Sequence, residues 1–136
     1  MSEVTQEPQA SKAPANFRLV EEEQPSSDGR CPSGAAWRRF EDECLRLGAG
    51  FSAHVTAELT ERDVGPVVTL VIQPPGHKTF ASFTREHQGK RFALLRGGDV
   101  LLAPAIEAPI TGEKAEISGV FTRPDAERLV ARINGE

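Results

Sequence analysis

The segment KRFALLRGGDVLLAP, residues 90–104, constrains this chain more than any other, because it sets two apolar runs around the pair Gly97-Gly98. A two-residue glycine turn between such runs marks a β-hairpin and fixes its register, so that Arg96 faces Asp99, Leu95 faces Val100 and Leu94 faces Leu101. Successive side chains of a strand point to opposite faces, and both faces of Phe92-Ala93-Leu94-Leu95 are apolar. The hairpin therefore belongs at the centre of a sheet covered on both sides. VVTLVIQ, residues 67–73, is β-branched and nearly continuous in apolar character, which predicts a second doubly covered strand, ended by Pro74 and Pro75. GHKTFASFTREHQG then puts Phe80, Phe83 and His87 on one stripe, with Gly89 as a left-handed stop, and predicts a helix over 77–88. Strand, helix and strand in this order give a right-handed crossover if strands 67–73 and 90–96 are parallel neighbours.

At the C-terminus, Thr122 stands three residues before Asp125, and Ala126, Leu129, Val130 and Ile133 form an apolar stripe that stops at Asn134-Gly135. That pattern predicts a second, capped helix. The first half is less regular. Residues 1–16 are polar and aperiodic, as in a flexible tail; FRLVEE predicts a strand, and EQPSSDGRCPSG at 23–34 a surface loop. In WRRFEDECLRLG, Trp37, Phe40, Cys44 and Leu47 lie at helical spacing while Cys44 and Leu45 also fit a strand ending at Gly48; the reading favours a strand over the second half. HVTAELTERDVG is read as holding a short helical turn. The fold class expected is α+β: a mixed, mostly antiparallel sheet with two helices packed on one face, whose C-terminal half runs strand, helix, hairpin, helix.

Chemistry-bearing patterns are sparse. The net charge of −4, with 20 acidic and 16 basic residues spread along the chain, argues against a nucleic-acid surface, which needs a clustered basic field. No apolar run reaches the roughly 18 residues of a membrane span. His54, His77 and His87 have no adjacent nucleophile, no glycine-rich phosphate loop follows a strand, and Glu41-Asp42-Glu43 reads as a solvated acidic turn. Cys31 and Cys44 are too few for a zinc site. They either form one disulfide, whose 13-residue separation is worth on the order of 3 kcal/mol by chain entropy, or are two unrelated thiols with Cys44 in the core. No catalytic residue, metal or cofactor is expected, so the chain is read as not an enzyme.

GKRFALL, then GGDVLLAPAIEAPITG, then ISGVFTRPDAERLVARI resembles the periplasmic head domain of the SecD family of protein-export subunits. The positions that carry the likeness are Gly89, Lys90, Gly98, Ala103, Pro104, Ile106, Ile110, Gly112, Ile117, Gly119, Phe121, Thr122 and Ala126. The likeness is best supported over residues 66–134 and implies one head-like domain over 17–136. The chain departs from that pattern at Arg96-Gly97, where the family has Leu-Asp before the hairpin glycine, and at Glu113, where it has a second glycine after the turn. In the family this head is thought to contact emerging polypeptide. The resemblance therefore implies a non-catalytic module that binds extended or unfolded polypeptide or an envelope protein, with an accessory role in export. A structural or self-associating domain is the alternative, and an enzyme comes third.

Two readings of residues 104–119 follow. In one, the prolines and glycines only shape a connection, with Gly112 and Gly119 at positive φ and Ile106, Ile110 and Ile117 tucked under the sheet. In the other, this loop and the 77–88 helix edge an apolar groove, and Ile106, Ile110 and Phe121 are the partner-binding residues, partly exposed in a contiguous patch. As to compartment, the polar N-terminus fits a tether left after removal of a signal or lipid anchor, which favours an extracytoplasmic protein; Met1 fits a cytoplasmic start.

Overall fold

The computed structural model describes residues 14–117 and 122–135. In chain order the elements are β1 (Ala15–Pro25), β2 (Trp37–Phe40), β3 (Glu43–Ala53), β4 (Val55–Arg62), β5 (Gly65–Ile72), α1 (Gly76–Glu86), β6 (Arg91–Arg96), β7 (Asp99–Leu102), β8 (Lys114–Ile117) and α2 (Arg123–Ile133). Among the described residues the strands form a five-stranded sheet of order β2-β3-β1-β6-β7 and a three-stranded sheet of order β4-β5-β8. Every pairing within them is antiparallel. The fold is α+β, as expected, but the sheet is divided. β5 and β6 are not parallel neighbours, because β1 and β7 occupy both edges of β6, and α1 links two sheets instead of crossing over within one.

The doubly apolar β6 has a structural answer. Phe92 and Leu94 enter the larger core, shared with α1, α2 and the small sheet. Ala93 and Leu95 enter a smaller one with Val20, Leu45, Leu47, Val100 and Ala103, against which Phe40 packs. All strands of the large sheet, or the residues just beyond them, feed this second core, which is possible only if the sheet curls on itself. Its two edges do meet: β2 lies against β7, and Arg38 Nε donates to the Gly98 carbonyl at 3.3 Å. β7 is thus an edge strand, and β6, not the hairpin as a whole, is interior.

Register shifts in the β1–β3 and β6–β7 pairs create this geometry. Between Val20↔Leu47 and Arg18↔Gly50, β3 spends one more residue than β1, so Leu45 and Leu47 face the smaller core while Phe51 and Ala53 face the larger. Only glycine fits at Gly50, where a Cβ would lie 1.8 Å from the Phe17 carbonyl oxygen. The hairpin turn gives Arg96↔Asp99 and Leu95↔Val100 as expected, but Leu94 faces Leu102, not Leu101. Leu101 is the extra residue of a bulge, and as a result Leu101 and Leu102 both turn toward the larger core.

The larger core is built on phenylalanine. Phe17 stacks on Phe51 with ring centres 4.9 Å apart and touches Phe80 and Phe92, while Phe83 meets the edge of Phe51. Phe80 and Phe83 come from α1, which covers residues 76–86 of the expected 77–88 and is followed by Gly89 at φ +86°. Two expectations for the first half are corrected, and a third, the strand favoured over the second half of WRRFEDECLRLG, is present and longer than expected. β1 starts at Ala15, inside the assumed tail. WRRFEDECLRLG is a hairpin, Phe40↔Glu43 across a Glu41-Asp42 turn, so the helical spacing was a coincidence. HVTAELTERDVG holds β4, not a helical turn, its Val55 and Ala57 alternating inward while Glu58 faces out. Cys31 and Cys44 are joined in a disulfide that ties the 26–36 loop to β3.

α2 is capped at both ends. The Thr122 hydroxyl accepts the Asp125 N–H at 3.2 Å. At the other end, Arg96 Nε donates to the Ile133 carbonyl at 2.9 Å and its Nη2 to the Val55 carbonyl at 3.4 Å. The Asn134 amide accepts the Ala57 N–H at 2.8 Å and donates to the Ala57 carbonyl at 3.1 Å, just as a neighbouring strand would. The edge of β4 is thereby closed by a side chain. On the opposite side of the molecule Arg91, 20% exposed, pairs through two nitrogens with Glu43, 29% exposed, at 3.0 and 2.8 Å, and also reaches Glu23 and the Ala103 carbonyl. The bonds from Arg91 hold the Glu43 carboxyl below the usual glutamate range, with burial opposing them, and Glu43 raises Arg91 in turn.

Two predictions follow from these anchors. Removing the Asn134 amide leaves the N–H and carbonyl of Ala57 unpaired, so Asn134→Ala should cost about 1–3 kcal/mol in urea denaturation; a change within about 0.5 kcal/mol, as at an unimportant surface site, would mean that the edge is closed by something else. Because the folded Glu43 has a lowered pKa, its contribution is present above the unfolded value near 4.3 and is lost as pH falls through the lower folded one. Arg91→Met should therefore destabilise by about 1.5–3 kcal/mol at neutral pH, and this deficit should shrink on acidification below about pH 4. A deficit that does not change with pH would assign Arg91 to packing alone.

Candidate functional site

The loop expected to edge a groove is strapped down along its length. Beyond Pro104 the chain continues beside β6, with bonds from the Phe92 N–H to the Pro104 carbonyl (3.1 Å), the Ile106 N–H to the Lys90 carbonyl (2.7 Å) and the Gly89 N–H to the Ile106 carbonyl (2.8 Å). The Ile110 N–H then donates to the Thr84 hydroxyl of α1 at 3.0 Å, and the Glu113 carbonyl accepts the Ile72 N–H at 2.7 Å. Ile106 is 1% exposed, which removes it from the partner-binding residues: it is core. Ile110 is half-buried against the larger core, and Phe121 lies outside the described residues, as does Gly119. Gly112 does not have the positive φ expected of it. Ala105, Ala108 and Pro109 of this loop are exposed beside half-buried Ile110, and among the described residues the large hydrophobic side chain left exposed is Val64, at the tip of the β4–β5 turn.

A different place offers what the loop does not. Where β2 and β7 approach without pairing, α2 roofs a cleft of about 460 Å³ lined by Phe40 and Glu41 from β2 and its turn, Leu101 and Leu102 from β7, and Asp125, Arg128, Leu129 and Arg132 from α2. Each part has a local cause. The β7 bulge supplies two adjacent leucines to the floor. Phe40 sits half-buried at the mouth of the smaller core, and Leu129 half-buried on the underside of α2, one turn from Asp125 and just short of one turn from Arg132. The charged rim is uneven: Arg128 is engaged by Asp125, whereas Arg132 makes no ion pair or side-chain hydrogen bond among the described residues.

A second cleft, of about 330 Å³, runs along Glu23, Gln24, Pro25, Glu41, Asp42 and Glu43 on the outer side of the same β2–β3 turn. Arg91 neutralises Glu23 and Glu43 there, so the acidic triplet read as a solvated turn is solvated only at Glu41 and Asp42. Nothing in the sequence pointed to the first cleft, because its floor depends on the bulge and its two walls on a sheet that curls. The usable signal was the pair Leu101-Leu102, two consecutive apolar residues at a hairpin edge.

Among the described residues no helix is long and apolar enough to cross a membrane, and no group of three His, Cys, Asp or Glu side chains is placed to hold a metal ion. The model of the SecDF P1 head subdomain family matches residues 51–135, more than half of the chain. Protein translocase subunit SecD of Acidaminococcus fermentans is 44% identical over 64 residues, which are 47% of this chain and 15% of that one. SecD of Dictyoglomus turgidum is 35% identical over 91 residues, 66% of this chain and 23% of the relative. The chain thus spans less than a quarter of the length of these relatives. A solved structure of the membrane component SecDF, described as enhancing protein export, superposes with a TM-score of 0.58 at 26% identity, covering 90% of this chain and 62% of that one. The match over residues 51–135, together with the superposition on SecDF, establishes that this chain belongs to the SecDF P1 head subdomain family.

Proposed function

We propose that this chain is a non-catalytic module that binds extended polypeptide in the cleft between β2, β7 and α2, in an accessory role in protein export outside the cytoplasm. The observation that carries the reading is that two edge strands converge there without pairing, over an apolar floor that ends in half-buried Phe40 and Leu129. Such an arrangement presents both an apolar pocket for a side chain and strand edges for a backbone, which is how extended peptides are bound on sheets. The relatives are translocase subunits, whose business is polypeptide, and this supports the class of partner. The Cys31–Cys44 disulfide supports an oxidising compartment, since such bonds are rare where glutathione keeps thiols reduced. The loop at 104–113 serves as architecture, with Ile106 in the core and Ile110 against α1.

The test is binding of a fluorescent, permanently unfolded polypeptide, followed by anisotropy. Binding is expected with dissociation constants in the micromolar to millimolar range, about −8 to −4 kcal/mol. Leu129→Glu, which puts a charge on the roof of the cleft, should lower the thermal transition, because Leu129 also packs in part on the larger core, and should weaken binding by the still-folded protein about tenfold or more. Ile110→Asp should lower the thermal transition and leave the affinity of the folded protein unchanged. Equal affinity in Leu129→Glu and the parent, or lost affinity in still-folded Ile110→Asp, would overturn the assignment to this cleft.

A further inference from the structure

We propose that the cleft is electrically bipolar and selects a guest segment that carries one basic and one acidic side chain about three residues apart, with apolar side chains between them. The inference rests on the cleft being the polypeptide site and adds what that site prefers.

The polarity follows from how the elements run. In the antiparallel order β2-β3-β1-β6-β7, the two edge strands point the same way. Arg38 of β2 lies against Gly98, at the start of β7, so the Phe40-Glu41 end of β2 lies further along, toward Leu101 and Leu102. α2 is oriented by its own anchors: Ile133 is held by Arg96 at the β6–β7 turn, near the start of β7. Arg132, one residue earlier, therefore stands at the turn end of the cleft, and Asp125, two turns back along the helix, at the Glu41 end.

The charges do not cancel along this line. Asp125 and Arg128 satisfy one another. What remains is a cation, Arg132, at one end, and the carboxylate of Glu41 at the other, neither of them in an ion pair among the described residues. Seven residues of helix separate Arg132 from Asp125, which lines the Glu41 end, so at about 1.5 Å per residue the helical wall between the two ends is roughly 10 Å long. An extended chain advances about 3.3 Å per residue, so side chains about three residues apart span the two poles. A guest with like charges at those positions meets one pole that attracts and one that repels, whereas a guest with opposite charges is attracted at both. Backbone direction does not decide the matter, because either direction of a mixed-charge guest finds one orientation that satisfies both ends.

The test uses the 136-residue chain and three labelled peptides with the same apolar centre, flanked by Lys and Glu, by two Lys, or by two Glu, with anisotropy at low ionic strength, where charges about 10 Å apart are little screened. The mixed peptide should bind about fivefold more tightly than either like-charged one, as rim charges allow, and added salt should erase the difference. Arg132→Glu makes both poles acidic, and the two-Lys peptide should then become the preferred guest. If all three peptides bind alike and Arg132→Glu leaves their order unchanged, the bipolar selection is wrong while the polypeptide site stands. If none binds although the unfolded polypeptide binds at Leu129, selection by these flanks is equally wrong. If neither peptides nor unfolded polypeptide binds, the cleft reading falls with it.

Discussion

The structure depends on one strand that is apolar on both faces. Burying Phe92 and Leu94 is work that α1 and the small sheet do, but Ala93 and Leu95 on the reverse face also have to leave water, and no helix is provided for them. The sheet solves this by covering itself. Curling requires that strands change the face they present, hence the β3 bulge beside Gly50, and it brings edges β2 and β7 together with the smaller core between them. Each buried aliphatic side chain contributes roughly 1.5–3 kcal/mol, so a second core of this size is a substantial part of what holds the N-terminal half in place.

The cleft is what the curl leaves unfinished. A closed barrel has no edges, and here β2 and β7 touch near Arg38 and Gly98 but form no ladder. Beyond that contact the walls part, and the bulge at Leu101 lines the opening with two leucines. α2 is kept above it by polar anchors: Arg96 holds the Ile133 carbonyl at the end of the helix, and Asn134 acts as a one-residue strand on β4. Arg96 is one of the positions where the chain departs from the family's Leu-Asp pattern, and its guanidinium joins β6, β4 and α2. The Arg91 cluster does the corresponding work at the other end of β6, tying β1 and β3 to it through Glu23 and Glu43.

What was legible in the sequence was local. The Gly97-Gly98 turn, the continuous apolar run of β5, the Phe80/Phe83 stripe of α1 and the Thr122 cap are each read from neighbours within a few residues, and each is present. β4 was missed because Ala57 is a weak apolar signal between Val55 and Leu59, and charged neighbours hid the alternation. The β2–β3 hairpin was missed because a turn of Glu and Asp carries no glycine, yet Glu41 adopts φ +55°. The division into two sheets, the one-residue slip that pairs Leu94 with Leu102, and the closeness of β2 to β7 depend on partners distant in sequence. The candidate site inherits that difficulty. Its floor, wall and roof come from residues near 40, 101 and 129, and the apolar residues that stood out around 106 were core.

The most direct measurement is a map of backbone amide shifts in the ¹⁵N-labelled chain on addition of a permanently unfolded polypeptide. The account predicts that the changes gather at residues 39–41, at Leu101 and Leu102, and along α2 from Asp125 to Arg132, the three sides of one cleft. Changes centred on Glu107 to Ile110 and on Thr84 of α1, with the cleft silent, would contradict it and return the binding surface to the loop.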